Sequence, residues 1–255
     1  MVKNDKSMNR VRVMLSIFKV LSGVNPECRI NFYPEGLNVI SIDENARCIV
    51  IAQISRRFFA HWRIQETYSL KTDINSLKRI FSHKVLISRI RQRTGHVIEV
   101  TFANPSDMSL LLNVVKTKQV SCHRPTLTRS TKLLSLKLSS KDIITFLKMA
   151  SFTFDDLCIS LDSKGTMQLY AKFLDYMIVK RINRFKIKEE NLPIAFSIPM
   201  RYATLLLPLL NLVDEFRLAL TKDGSCIFTI GKRGLYLVKL IISSRIERLS
   251  GNELY

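Results

Sequence analysis

Apolar residues recur along this chain with two spacings, and the clearest stretch runs from Gly36 to Phe59, GLNVISIDENARCIVIAQISRRFF. In its first run Leu37, Val39 and Ser41 alternate with Asn38, Ile40 and Ile42. A second apolar run spans Cys48 to Ile54, and the polar Asp43-Glu44-Asn45 joins the two. Runs of this length flanking a polar break predict a strand, a turn and a strand. Pro34-Glu35-Gly36 precedes them, and glycine supplies the positive φ that a tight turn needs. The stretch is therefore expected to form the middle of an antiparallel meander.

A helical spacing governs Arg10 to Leu21, where Val11, Met14, Leu15 and Phe18 fall on one face and Arg12, Ser16 and Lys19 recur at i, i+4, i+7 on another. Short strands are expected at Arg29 to Phe32 and Tyr68 to Lys71. Asp73 is placed to cap a helix from Ile74 to Ser82, with Ile74, Leu77, Ile80 and Phe81 inward and Asn75, Lys78, Arg79 and Ser82 outward. Strands at Val85 to Arg93, Val97 to Phe102 and Met108 to Val115 follow, separated by turns at Thr94-Gly95 and Asn104-Pro105. This half closes near Lys116.

Thr117 to Lys132, TKQVSCHRPTLTRSTK, keeps no period and reads as a linker. Beyond it a strand is expected at Leu133 to Leu138. A helix then opens at Ser139, with Asp142 three residues on in capping-box spacing, and strands divided by Ser163-Lys164-Gly165 follow. A further helix, Met200 to Leu210, follows Pro199, and the last strands are divided by Lys222-Asp223-Gly224 and Lys232-Arg233-Gly234. The halves share the order strand, helix, meander, helix, meander. This predicts an α+β chain with a duplicated architecture: residues 1–116 and 133–255 form two similar domains, each with two helices packed on antiparallel sheet, joined by 117–132.

Composition narrows the class of partner. The 255 residues suffice for two domains with real cores. At 47% hydrophobic and 24% charged, the chain is that of an ordinary globular protein. Forty lysines and arginines against 21 acids leave a net charge of +19, which seeks a polyanion, nucleic acid before an anionic membrane surface. The five cysteines are scattered without C-x-x-C spacing, which points to a reducing compartment rather than to zinc or a disulfide framework. Cys48, Cys158 and Cys226 sit in apolar strand patterns and are expected as small core residues. The longest apolar run, Ala203 to Val213, is interrupted by Pro208 and Asn211 and falls below the roughly 18 residues of a spanning helix. No signal peptide is expected, because Arg12, Ser16 and Lys19 break the first apolar segment.

Catalytic chemistry finds no foothold. The four histidines, His61, His83, His96 and His123, stand singly, without metal-ligand spacing. Gly231-Lys232-Arg233-Gly234 lacks the order of a phosphate-binding loop. Asp155-Asp156 and Glu189-Glu190 read as turn or cap residues. The expectation is a protein that is not an enzyme and needs neither metal nor cofactor. Much of the positive charge lies in Lys84 to Arg93 and Lys172 to Lys188, where alternation puts Lys180, Arg184 and Lys186 near one strand face as a basic surface at a sheet edge or exterior.

The order G-L-x-V-x-S-I-D at Gly36 to Asp43, then an alternating strand, then Phe59 and Trp62, resembles the central motif of the PCNA family of DNA sliding clamps. The doubled Phe58-Phe59 ahead of Trp62 is similar to subunits of the heterotrimeric DNA-damage checkpoint clamp. Ala46 and Arg47 depart from the replicative pattern. The resemblance implies a PCNA-like fold whose helices line a central hole and face duplex DNA. Carried over by position, Arg12, Lys19, Lys78, Arg79, Lys141, Lys148 and Arg201 would meet the phosphate backbone, with Lys141, Thr145 and Lys148 repeating the stripe of Arg12, Ser16 and Lys19. Pro208 stands where the family commonly has a basic residue.

The same resemblance places a client pocket at Ile42, Ala46 at its rim, the linker residue Leu127, and Ile241. It places subunit interfaces at Met108 to Val115 and Lys172 to Ile182. The aromatic and the proline that replicative members carry beside the pocket are missing. The implied protein is a nuclear ring subunit, mounted on duplex DNA by an ATP-driven clamp loader, with other clamp subunits completing the ring. Its clients are repair or checkpoint proteins, and no membrane is involved. A checkpoint subunit of the tail-bearing kind continues into a long phosphorylated tail; here Tyr255 follows soon after the last strand, so that tail is expected to be absent or removed. Two alternatives stand beside this reading: a replicative processivity clamp that tethers a DNA polymerase, and a basic nucleic-acid-binding protein that coats DNA without forming a ring.

Overall fold

The computed structural model describes residues 3–59, 62, 64, 67–75, 86–92, 97–103, 110–116, 118–119, 131–162, 166–173, 176–182 and 194–248. Within them the chain is α+β, dominated by antiparallel sheet with few helices. It divides into two compact units, one of residues 1–126 with 231–239 and the other of 127–230 with 240–255.

The first unit opens with helix α1 (Lys3–Val24), longer than the spacing of its apolar residues predicts. The strand that the shared order of the halves places before the first helix does not occur among the described residues. KNDKSMN has no β-branched or aromatic residue to favour a strand, and it joins the helix instead. After α1 come β1 (Glu27–Tyr33), β2 (Gly36–Ile42), β3 (Cys48–Ser55) and β4 (Tyr68–Asp73). Strands β5 (Leu86–Gln92), β6 (Val97–Ala103) and β7 (Leu110–Lys116) form a separate three-stranded sheet in that order. A two-residue strand, β8 (Lys118–Gln119), pairs with β4, so the expected linker begins with a piece of sheet. The strand order is β8-β4-β1-β2-β3, antiparallel throughout, with Arg29 opposite Ile40 and Asn38 opposite Gln53.

Helix α1 packs on β2 and β3. Its buried face is Val13, Met14, Ile17, Phe18, Val20 and Leu21, rotated from the expected Val11, Met14, Leu15 and Phe18; Val11 and Leu15 are only half-buried. Resting across two strands calls for a wider apolar stripe than a single helix-on-helix seam, and residues 13, 17, 20 and 21 supply it. Burying each of these side chains contributes about 1.5–3 kcal/mol.

In the second unit β9 (Lys132–Ser139) leads into helix α2 (Ser140–Ala150). There follow β10 (Asp156–Leu161), β11 (Met167–Phe173), β12 (Tyr176–Ile182) and β13 (Ile194–Pro199). The expected helix Met200 to Leu210 keeps a right-handed helical path but tightens in its middle: α3 (Met200–Ala203) and α4 (Leu207–Leu210) flank a single 3-10 turn, Thr204–Leu206. Pro208 accounts for the tightening, since it has no N–H to offer the Thr204 carbonyl, which accepts from the Leu207 N–H instead. The chain then forms β14 (Glu215–Thr221), β15 (Ser225–Lys232), β16 (Tyr236–Ser243) and β17 (Arg245–Arg248), of which residues 231–239 belong to the first unit. One sheet has the order β12-β11-β10-β13-β17, and elsewhere β14 lies between β9 and β15. Turn glycines Gly224 and Gly234 take φ values of 87° and 77°, as the tight hairpin turns require.

Helix α2 buries Ile143, Phe146, Leu147 and Ala150 against β9, β12 and α4. Ser139 stands at its N-cap but makes no side-chain capping bond, which corrects the capping-box expectation. Asp142, the other half of that box, instead accepts a hydrogen bond from the Lys180 ammonium of β12 at 2.8 Å. A charged partner across the helix–strand contact outcompetes a backbone N–H.

Candidate nucleic-acid interface

The G-L-x-V-x-S-I-D stretch turns out to be scaffold. Gly36 adopts a φ of 148°, and a Cβ there would lie 2.1 Å from the Ile54 carbonyl oxygen. The Ser41 hydroxyl, buried in β2, shares its proton between the carbonyls of Leu21 at 3.1 Å and Asn25 at 3.2 Å, tying β2 to the end of α1. Asp43 holds the β2–β3 turn: its carboxylate accepts from the Cys48 N–H at 2.8 Å, and its carbonyl accepts from Ala46 N–H at 2.9 Å. The aromatics that follow are likewise packed. Phe58 and Phe59 are buried, Trp62 stacks on Phe59 at 4.7 Å, and its indole N–H donates to the Tyr33 carbonyl at 3.0 Å.

This scaffold fixes the orientation of α1. With Ile17 and Leu21 buried, the opposite side carries Arg12 and Lys19, both exposed, with Ser16 half-buried between them. Helix α2 repeats the arrangement. Lys141, Thr145 and Lys148 are all exposed, and the Thr145 hydroxyl donates back to the Lys141 carbonyl at 3.1 Å. Each helix thus presents two long cations seven residues apart, about 10 Å along the axis at 1.5 Å per residue. That spacing suits successive contacts with a phosphate backbone and carries no base information.

Arg201 of α3 is exposed but engaged: its guanidinium donates to the Tyr202 hydroxyl at 2.8 Å and lies 4.6 Å from that ring's centre. Thr204 turns its hydroxyl to the Arg201 carbonyl. Asp73 behaves as the expected cap, accepting from the Asn75 N–H at 3.1 Å where a helix begins at Ile74. Lys78 and Arg79 lie outside the described residues, as does Leu127 of the expected client pocket. The other pocket residues are Ile42, 43% exposed at the end of β2, Ala46, exposed in the turn, and Ile241, half-buried in β16.

Of the three cations expected on the basic strand, the structure describes one. Lys180 points at Asp142 and is half-buried, so it contributes no free cation to an outer surface; Arg184 and Lys186 lie outside the described residues. What β12 exposes is mixed: Tyr176 is 72% exposed, Met177 52% and Val179 37%, and Arg181 is exposed beside them. Sequence patterning missed this because alternation alone does not say which face of an edge strand a helix covers.

Among the described residues no helix is long and apolar enough to cross a membrane, and no three His, Cys, Asp or Glu side chains converge as a metal site. Cys28, Cys48 and Cys226 are buried and Cys158 half-buried, none in a disulfide. No protein-family model and no curated protein sequence matches the chain.

Proposed function

We propose that this chain is a subunit of a ring-shaped DNA sliding clamp, of the heterotrimeric DNA-damage checkpoint kind. The observation that carries the reading is a repeat of topology together with charge. The strand order β3-β2-β1-β4-β8 of the first unit has the same form as β12-β11-β10-β13-β17 of the second. The helix ahead of each set, α1 or α2, holds two exposed cations at i and i+7. A duplicated PCNA-like fold accounts for both features at once.

In this reading Arg12, Lys19, Lys141 and Lys148 make weak phosphate contacts, while enclosure by the ring provides retention. Among the described residues the two strands given to subunit contacts are both sheet edges: β7 ends its three-stranded sheet and β12 ends its five-stranded one. The exposed Tyr176, Met177 and Val179 on β12 favour pairing with another subunit's edge, since open edges with apolar side chains are templates for strand addition. The partners are duplex DNA, two further clamp subunits, a clamp loader, and repair or checkpoint proteins, in the nucleus.

The native mass of the purified chain, near micromolar concentration and moderate salt, tests the subunit assignment. A monomer is expected, because the ring needs different partner chains. A homotrimer overturns the checkpoint assignment in favour of a self-sufficient replicative ring.

A further inference from the structure

The cationic stripe of α2 does not end at Lys148. Ser151 keeps a helical backbone (φ −63°, ψ −19°), its N–H donates to the Leu147 carbonyl at 2.9 Å, and the Phe154 N–H donates to the Ala150 carbonyl at 3.1 Å. Helix α2 itself ends at Ala150, and the turn over 151–153, closed on the Ala150 carbonyl by the Thr153 and Phe154 N–H groups, carries the chain on to Phe154. At about 100° per residue, positions 141, 145 and 148 fall within a sector of about 60°, and the same step carried through the turn brings position 152 into it. Phe152 occupies the last of them and is 91% exposed, with Met149, 52% exposed, three residues before it on a neighbouring line. Phe154, buried, anchors the turn from below.

We propose that Phe152, with Met149 beside it, is a stacking platform for an unpaired nucleic-acid base, set at the end of the phosphate-contacting stripe Lys141-Thr145-Lys148. An exposed aromatic ring in line with phosphate-spaced cations matches the way single strands are held, by backbone charge and by sequence-tolerant stacking. The change of charge along the chain fixes the division of labour. Lys141 and Lys148 are positive, and the intervening Asp142 is matched by Lys180. Past Phe152 come exposed Asp155 and Asp156, the latter accepting from the Ser197 hydroxyl at 3.3 Å. Phosphates are favoured up to Lys148 and repelled beyond Phe152, so it is a base that meets the ring. Fully paired DNA hides its base faces in the stack, whereas a frayed end, a gap or a single-stranded tail offers one.

The inference rests on the reading above only in taking DNA as the ligand, and it is tested without a ring. Two DNAs are compared at low salt by fluorescence anisotropy with the purified full chain. One is a blunt hairpin duplex; the other is the same duplex with a short single-stranded tail carrying 2-aminopurine at its first unpaired position. The unaltered chain is expected to favour the tailed DNA and to quench the 2-aminopurine. F152A removes the quenching and weakens tailed-DNA binding about ten-fold, leaving blunt binding unchanged, while F152W restores both. K141A/K148A weakens both DNAs alike. If F152A leaves tailed binding and quenching intact, or weakens both DNAs equally with an unchanged melting temperature, the platform is refuted. Failure of the chain to take part in a closed ring would overturn the clamp reading and leave this result standing.

Discussion

Lys180 of β12 reaches Asp142 of α2 with 2.8 Å between ammonium nitrogen and carboxylate oxygen, tying an edge strand to the helix that carries Lys141 and Lys148. Both side chains are nearly half exposed, 42% and 48%, so the pair is screened by water and salt and is worth about 0.3–1 kcal/mol. Its larger consequence is electrostatic: it occupies the carboxylate nearest the stripe. Asp142→Asn should lower the unfolding free energy by no more than about 1 kcal/mol in urea titrations. The same variant should tighten duplex binding two- to three-fold at low salt. Weaker binding would mean that α2 does not face the phosphates.

The paired cations make a second, quantitative claim. Each lysine or arginine that contacts a phosphate releases counterions, and its removal lowers the slope of log K against log salt by about 1. R12A/K19A and K141A/K148A should therefore each reduce that slope by about 2, with little change in melting temperature because all four side chains are exposed. An unchanged slope for either pair removes that helix from the interface.

Two backbone positions carry the turns around β2. Gly36 at φ 148° has no room for a Cβ beside the Ile54 carbonyl, so Gly36→Ala should cost about 2–4 kcal/mol. Ala46 sits at φ 54°, a left-handed conformation that costs an alanine about 1 kcal/mol relative to glycine. Ala46→Gly should therefore stabilise the chain by about 0.5–1 kcal/mol. Chemical denaturation of the two variants checks both signs.

That contrast shows how much the sequence discloses. The strands of the meander, the turn at Asp43 and the glycine at 36 are legible because alternation and turn chemistry are local. The cations Arg12, Lys19, Lys141 and Lys148 are legible as exposed because a 3.6-residue period separates them from the core. Contacts across elements are not written locally. Nothing near Asp142 announces that its partner is Lys180, 38 residues away, rather than the N-cap of its own helix. Nor does the run Met200 to Leu210 reveal that the helix tightens over Thr204–Leu206, just ahead of Pro208. Phe152 lies at i+11 of a stripe already visible in the sequence, but its exposure depends on how the helix end is anchored.

Burial sets the behaviour of two thiols. Desolvation pushes Cys28 up to about 12, with Asp73 and Glu27 adding to the effect. Desolvation likewise raises Cys226 to about 12, against a smaller opposing hydrogen bond with Ser244. A thiol whose folded pKa lies above its unfolded value stabilises the fold fully below the unfolded value, and that stability is lost as pH rises toward the folded one. The urea midpoint should therefore decline between roughly pH 8.5 and pH 12, and C28A/C226A should show a shallower decline. At pH 8 both thiols should resist alkylation until the chain is unfolded.

Enclosure of DNA is the central claim, and topology tests it most directly. The chain, tagged and purified with the proposed partner subunits, is incubated with a clamp loader and ATP on a nicked circular plasmid and washed at moderate salt. Half of the sample is then cut once to make it linear. The account predicts that the complex stays on the intact circle and slides off the cut DNA. Equal retention on both forms, falling together as salt is raised, would contradict it and leave a basic protein that coats DNA.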